Sequence, residues 1–457
     1  MARTIAVLSA GARLSDYLSL GVLNKVVPMP RVRAALEATG RASRRQRELP
    51  AQVVVYYVIA LTLYMSVSYR EVLRGLLEGL VWLFGPAARV TVAAKSSISA
   101  ARTRLGWEPM KVLHDELVKP VAQAATRGAW YRQWRLVSLD GTALAVPDTA
   151  ANARAFGRPG TSRGASAFPQ VRFVSLVESG THVLFGTALG AYREGELTLA
   201  EEVIPHLCPG MLCLADRNFF SFYLWNQARA TGADLLWRGK RNLVLPCEKR
   251  LPDGSYLSTI YATPKDRRHQ RDGVRVRVIE YALEGVEEAE PIYRLLTTIL
   301  DHEAAPASEL AALYPERWEI ETALDELKTH LRGGAHIVLR SKTPDLVRQE
   351  FWGFLLAHFA VRGLMHEAAL AAGEDPDRLS FTHAVRVIRR KLPQLAAFPP
   401  SAVEGVSSGA AGGDPGGAGG LQPRPMHPAR GQTQDEQLSP PPRELPPCNM
   451  LYNRADT

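Results

Sequence analysis

Apolar and polar positions follow three different rhythms along the chain. Up to about residue 125 the apolar positions recur at helical spacing. Ser15-Asp16 caps a first predicted helix, Arg31–Thr39 is a second ended by Gly40, and further helices follow at 51–65, 69–83 and 96–104. Near 131 the rhythm changes to strands. Residues 134–139 alternate and run into Asp140-Gly141-Thr142, and further strands are expected at 169–178 and 182–189. A helix at 198–206 precedes a buried strand, Met211–Ala215, that leads into Asp216. A helix at 219–231 and a short strand at 233–237 complete this block. Between about 238 and 300 the strand-like runs are 242–246, 274–280 and 292–299, and residues 342–395 return to a helical pattern.

One helical stretch carries chemistry as well as packing. In Tyr314–Lys328 the residues Ile320, Ala323, Leu324, Leu327 and Leu331 keep helical spacing, and Pro315 suits a first turn. At about 100° per residue, Tyr314, Arg317, Glu321 and Lys328 share an arc of roughly 60° beside the apolar stripe. Glu321 and Lys328 lie about 10 Å apart along such a helix, which fits contacts to successive groups of an extended polyanion. Taken singly these residues also suit an ordinary amphipathic helix with an Arg317–Glu321 pair. Asp140-Gly141 alone reads as a turn, and Asp216 alone as a helix cap. Strand–Asp140, strand–Asp216 and helix–Glu321 in that order make a three-carboxylate site the better reading.

Charge narrows the partners. The net charge is +9 over 457 residues. Residues 397–457 carry net −2, which leaves +11 on the body and points to a polyanion, nucleic acid before membrane. Ser97, Ser99, Arg102, Thr103 and Arg104 suit the face of a DNA-reading helix. Residues 51–69 lack charge, but four tyrosines, Gln52 and two serines, followed at once by Arg70 and Glu71, favour a buried helix over a membrane span. The first residues lack a secretory pattern, and Cys208, Cys213, Cys247 and Cys448 show no CxxC spacing. A reduced cytoplasm is the expected location.

The order of three strands, a helix and a fourth strand resembles the ribonuclease-H-like fold, an α/β core. There the first and fourth strands lie side by side, and the resemblance implies that Asp140 and Asp216 converge. Spacing makes a narrower resemblance. Tyr314-x2-Arg317-x3-Glu321-x6-Lys328 is similar to the Y-R-E-K motif of bacterial DDE transposases of the insertion-element-four family. Leu139-Asp140-Gly141-Thr142 and Leu214-Ala215-Asp216-Arg217-Asn218-Phe219 resemble that family's two Asp motifs, and the likeness spans about 10–395.

The resemblance implies that Asp140, Asp216 and Glu321 are catalytic and hold two Mg²⁺, or Mn²⁺, about 3.5–4 Å apart. It also implies that Tyr314, Arg317 and Lys328, with Arg217, contact DNA near the cleaved end. The implied reaction is water attack at the ends of the element, a hairpin on the element end, reopening, and joining to target DNA by 3′-hydroxyl attack. The implied partners are double-stranded DNA (terminal inverted repeats and target) and a second copy in a dimer that bridges two ends.

The expected domains are a helical N-terminal DNA-end-binding domain, 1–125, with Arg102 and Arg104, and a ribonuclease-H-like catalytic domain, 130–395. A β insertion at about 238–300 interrupts the latter. The insertion has no tryptophan for base stacking, and Tyr256, Tyr261, Tyr281 and Tyr293 are its aromatic candidates. Arg386, Arg389, Arg390 and Lys391 are candidates for phosphate contact. Residues 396–457 read as a disordered Gly/Pro-rich tail. A coding frameshift near Pro399-Pro400 is the hypothesis for its unusual composition, and the gene sequence tests it by whether another frame encodes a basic tail. Two alternative functions stay open: a DNA-binding copy without catalysis, and a nuclease that lacks strand transfer.

Overall fold

The computed structural model describes residues 22–44, 49–84, 92–161, 164–282, 292–334 and 337–395. The Ser15-Asp16 cap, Arg45, Arg47 and the 396–457 tail lie outside the described residues. The chain divides into two compact units. One holds the described residues up to His206 and from Trp318 onward, and the other holds Leu207–Arg317.

Among the described residues the first unit opens with six helices: α1 (Val22–Val26), α2 (Met29–Ala38), α3 (Ala51–Leu63), α4 (Tyr69–Phe84), α5 (Lys95–Leu105) and α6 (Glu108–Leu117). Gly40, at φ +66°, ends the α2 segment where a side chain would be strained. Next come β1 (Trp130–Tyr131), β2 (Trp134–Ala145), α7 (Ala150–Phe156), the hairpin β3 (Gly160–Thr161) and β4 (Gly164–Ala165), β5 (Gln170–Glu178), β6 (Val183–Ala191) and α8 (Glu196–Val203). β6, β5 and β2 are antiparallel neighbours, and β1 pairs with the start of β2. α8 packs on β5 and β6. β1, the β3–β4 hairpin and α7 are not foreseen by the alternation pattern.

The second unit contains β7 (Met211–Ala215), α9 (Phe222–Ala230), β8 (Asp234–Arg238), β9 (Lys249–Arg250), β10 (Tyr256–Ile260), α10 (Pro264–Arg268), β11 (Val274–Tyr281), β12 (Tyr293–Thr297) and α11 (Ala307–Leu313). Its strand order is β7-β8-β12-β11-β10-β9, with β7 and β8 parallel and the rest antiparallel. The insertion therefore extends the sheet of β7 and β8. The strand expected at 242–246 is coil, whereas β9 and β10 form from residues without a clear alternation.

The chain then returns to the first unit through α12 (Glu319–Asp325), and ends, among the described residues, with α13 (Pro344–Ala372) and α14 (Phe381–Leu395). α13 is the core helix of this unit. α3, with twelve of its thirteen residues buried, packs against it. The uncharged 51–69 segment is thus explained by burial on α13, and among the described residues no helix is long and apolar enough to cross a membrane. Gly353 permits the close approach, because a Cβ there would meet Val58 Cγ1 at 2.8 Å. The helices before residue 125 share this core, so the structure groups the chain differently from the expected division at 125–130.

Candidate active site

Asp140 lies inside β2, opposite Ser175 on β5, and not at a strand end as the alternation suggested. The Asp-Gly pair is no turn here. Gly141 is strand backbone, and a Cβ on it would meet Val174 Cγ2 at 3.0 Å and Glu196 Cγ at 3.2 Å. The Gly141 backbone N–H donates to Asp140 Oδ1 at 2.7 Å.

Three kinds of helical turn carry the Tyr314–Leu331 stretch: a 3₁₀ segment at Tyr314–Trp318, α12, and a π segment at Glu326–Leu331. A uniform helix was expected. π turns insert at positions where a side chain must be re-aimed, often at functional sites. α12 packs on β2, and Glu321 on it is exposed. Lys328, on the π segment, donates from Nζ to Thr142 Oγ1 at 2.9 Å, two residues beyond Asp140. Burial and Arg332 push the Lys328 ammonium below its usual range, while Asp325, Asp140 and Glu321 pull it back up. In the first unit, then, Asp140, Glu321 and Lys328 form one electrostatic group.

Asp216 follows β7 in the second unit, and its Oδ1 accepts from the Arg217 N–H at 2.6 Å. The Tyr314 hydroxyl donates to the carbonyl of Ala215 at 3.2 Å, immediately before Asp216. Tyr314 is 6% exposed and Arg317 5%. Both side chains are therefore buried here, not on the half-exposed edge that a uniform helix suggested. Burial raises the Tyr314 phenol far above its ordinary range, with Arg317 opposing, so it stays a neutral donor. Arg217 is half-buried.

Arg102 needs the same correction. It is 1% exposed, and its guanidinium donates to Gln349 Oε1 at 2.8 Å and Ser341 Oγ at 2.9 Å. Ile98, Ala101, Arg102 and Leu105 form the buried face of α5, an i, i+3, i+4, i+7 set visible in the sequence. Arg104 is exposed and lines a cleft with Arg41 and Arg44. Arg389 is turned inward, bonded to the carbonyls of Leu63 and Leu331. In the insertion, Tyr281 and Tyr293 stack at 5.4 Å between ring centroids, and Arg238 lies 4.5 Å over Tyr293.

Sequence reasoning missed one buried network. Glu326, the first residue of the π segment, accepts from Arg362 at both carboxylate oxygens and faces His182 and His358. Burial alone would raise its carboxyl, but Arg362 and the histidines hold it well below the ordinary range. The signal was present in the sequence: His358 and Arg362 stand four apart in the otherwise apolar run 351–364.

The comparisons with known proteins agree with these motifs. Residues 17–115 match the family described as insertion element 4 transposase N-terminal, and residues 133–360 match the transposase DDE domain. The second match spans β2 with Asp140, Asp216 just after β7, and α12 with Glu321, and defines a DDE transposase. The chain belongs to the insertion element 4 family of these enzymes. It is 28% identical over 402 residues to "Transposase InsG for insertion sequence element IS4" of Escherichia coli (strain K12), covering 85% of each chain. It is 24% identical over 213 residues to "Putative transposase InsZ" of the same organism, covering 46% of this chain and 68% of that one. A piggyBac transposase synaptic complex with hairpin DNA aligns at TM-score 0.42 and 12% identity, covering 90% of this chain and 88% of that one.

Proposed function

We propose that this transposase cuts the ends of its insertion sequence by a metal-dependent hairpin route and joins them to target DNA. The observation that carries the reading is the packing of Glu321's helix on the strand of Asp140, with Lys328 bonded to Thr142 two residues beyond that acid, in a chain whose family match also includes Asp216.

Asp140, Asp216 and Glu321 would hold two Mg²⁺, with Mn²⁺ an alternative. Their donors are all carboxylate oxygens, the set that Mg²⁺ prefers, and the exposure of Glu321 leaves room for water and phosphate oxygens. When bound, the two ions activate the attacking oxygen and stabilise the leaving one. The protein's own groups do the positioning. Tyr314 fixes the Ala215 carbonyl and with it the backbone that presents Asp216. Lys328 supplies a cation beside Asp140 and Glu321 for a scissile-end phosphate. Arg217 and Arg317 add positive charge around Asp216, and Arg104, with Arg41 and Arg44, offers a phosphate-binding cleft for the terminal repeat. Residues 1–125 would read the DNA end, and a dimer would bridge two ends.

The test is substitution at each acid. Asp140→Ala, Asp216→Ala and Glu321→Ala should each abolish cleavage of a DNA carrying the element's end while gel-shift binding persists. Normal cleavage by any of them would remove that residue from the site. Strand-transfer products would separate this reading from a nuclease, and specific binding without cleavage by the parent protein would favour a DNA-binding copy.

A further inference from the structure

A second group of potential ligands lies apart from the three acids. His182 Nε2, Glu319 and Asp377 each offer one ligand atom, and the three atoms lie within 4.8 Å of one another. They come from separate places in the first unit: the β5–β6 turn, the first residue of α12, and the short 3₁₀ turn between α13 and α14. Glu319 and Glu321 are two residues apart on one helix, roughly 200° around it, so this group and Glu321 face different ways.

His182 stands at the centre of the group. It is 3% exposed and has φ +57°, a left-handed conformation that is uncommon for a non-glycine residue. Its Nδ1 faces Glu326 Oε1 at 3.4 Å and Arg362. Its Nε2 is buried without a hydrogen-bond partner among the described residues, yet lies 3.1 Å from Asp377 Oδ1 and 3.9 Å from Glu319 Oε2. With Nδ1 taken up by Arg362 and Glu326, Nε2 is the ring nitrogen turned toward the two carboxylate oxygens.

We propose that His182, Glu319 and Asp377 bind a divalent transition-metal ion, with Zn²⁺ as the fitting probe. Neutral imidazole with two carboxylates is a zinc donor set, and ligand atoms around a tetrahedral Zn²⁺ lie about 3.4 Å apart, between the two separations seen. The outer groups hold the ligands in place: Gly180 N–H donates to Glu319 Oε2 at 2.6 Å, and Arg362 and Glu326 face His182 Nδ1. Three carboxylates, Glu319, Glu326 and Asp377, gather here around His182 and the Arg362 guanidinium. The Asp377 side chain is 29% exposed, which provides a path for entry. Such an ion would tie the helix bearing Glu321 to the β5–β6 turn and to the start of α14.

The experiment uses the untagged full chain carrying Asp140→Ala and Glu321→Ala, so that the proposed catalytic ions do not contribute. Zinc content after chelation, reloading and gel filtration, with zinc-edge X-ray absorption, should show one Zn²⁺ per chain in a nitrogen–oxygen shell containing imidazole. His182→Asn, which tolerates the positive φ, and Asp377→Asn should each weaken zinc binding by at least ~10-fold. Absence of zinc, a sulfur shell from Cys208, Cys213 or Cys247, or either variant binding as tightly as its parent would overturn the proposal. If the variants fail to fold, the zinc content and absorption spectrum of the parent decide alone.

Discussion

The Tyr314 hydroxyl is buried and donates a hydrogen bond to the carbonyl before Asp216. Tyr314→Phe removes the donor and leaves that carbonyl short of a partner, which should cost about 1–3 kcal/mol of stability. If the bond positions Asp216, cleavage should also slow roughly tenfold, the equivalent of ~1.4 kcal/mol in barrier, with end binding unchanged. Unaltered cleavage kinetics would reduce Tyr314 to a packing residue. Arg362 is the counter-ion of a fully enclosed Glu326. Arg362→Met strands that carboxylate and should cost about 3–5 kcal/mol, read as a fall in the denaturation midpoint. A loss below about 1 kcal/mol would place it among surface-like pairs instead.

The buried histidines set the sign of the pH dependence. Burial pushes His114 and His358 below their ordinary 6.5, so the unfolded chain takes up these protons first. Stability is therefore full above about pH 6.5 and falls as the pH drops below it. Glu326 adds to the same trend at lower pH, because its depressed carboxyl contributes stability only above the unfolded value near 4.5. Urea midpoints measured from about pH 8 down to pH 5 should decline steadily. A midpoint that rises on acidification would contradict these assignments.

At the scale of elements, the α3–α13 contact depends on a missing side chain. Gly353→Ala sets a methyl against Val58 Cγ1 and the Val58 carbonyl, the latter 3.2 Å from the new Cβ. Backbone cannot yield as a flexible side chain would, so a loss of about 1–3 kcal/mol is expected despite the better helix propensity of alanine. A thermal midpoint at or above the parent's would show that the helices separate freely.

Much of this architecture was legible in the sequence because burial leaves a periodic trace. The 51–65 helix, the strands at 169–178 and 211–215, and the long helix near 351–364 all appear, within a residue or two, where their patterns place them. What escaped had physical reasons. Arg102 reads as a surface cation until its neighbours Ile98, Ala101 and Leu105 are placed on the same face. Tyr314 and Arg317 were projected on a uniform α-helix, whereas a 3₁₀ start and a π end alter the angle between successive residues. The burial of Glu326 left no local trace because its partners, His182 and Arg362, lie 144 and 36 residues away in the chain. The short strands β9 and β10 form at the edge of a sheet whose neighbours supply the pairing that their own sequences do not advertise.

At the scale of the molecule, the helices before residue 125 are part of the core around α13. Deleting them to test DNA-end recognition would uncover α3's buried partner, so a surface substitution is the cleaner probe. Arg104→Ala should weaken binding to the element's end and reduce its salt dependence by about one phosphate contact, without loss of fold. An unchanged salt slope would take Arg104 out of the interface.

The central claim is that Asp140, Asp216 and Glu321 act as one metal-dependent site on DNA. Its most direct measurement is incubation of the purified protein with labelled DNA bearing the element's own end, with and without Mg²⁺. The account expects Mg²⁺-dependent nicking at the end followed by a hairpin, and neither product from any of the three alanine variants. Cleavage that persists without a divalent ion, or in any one of those variants, would contradict it.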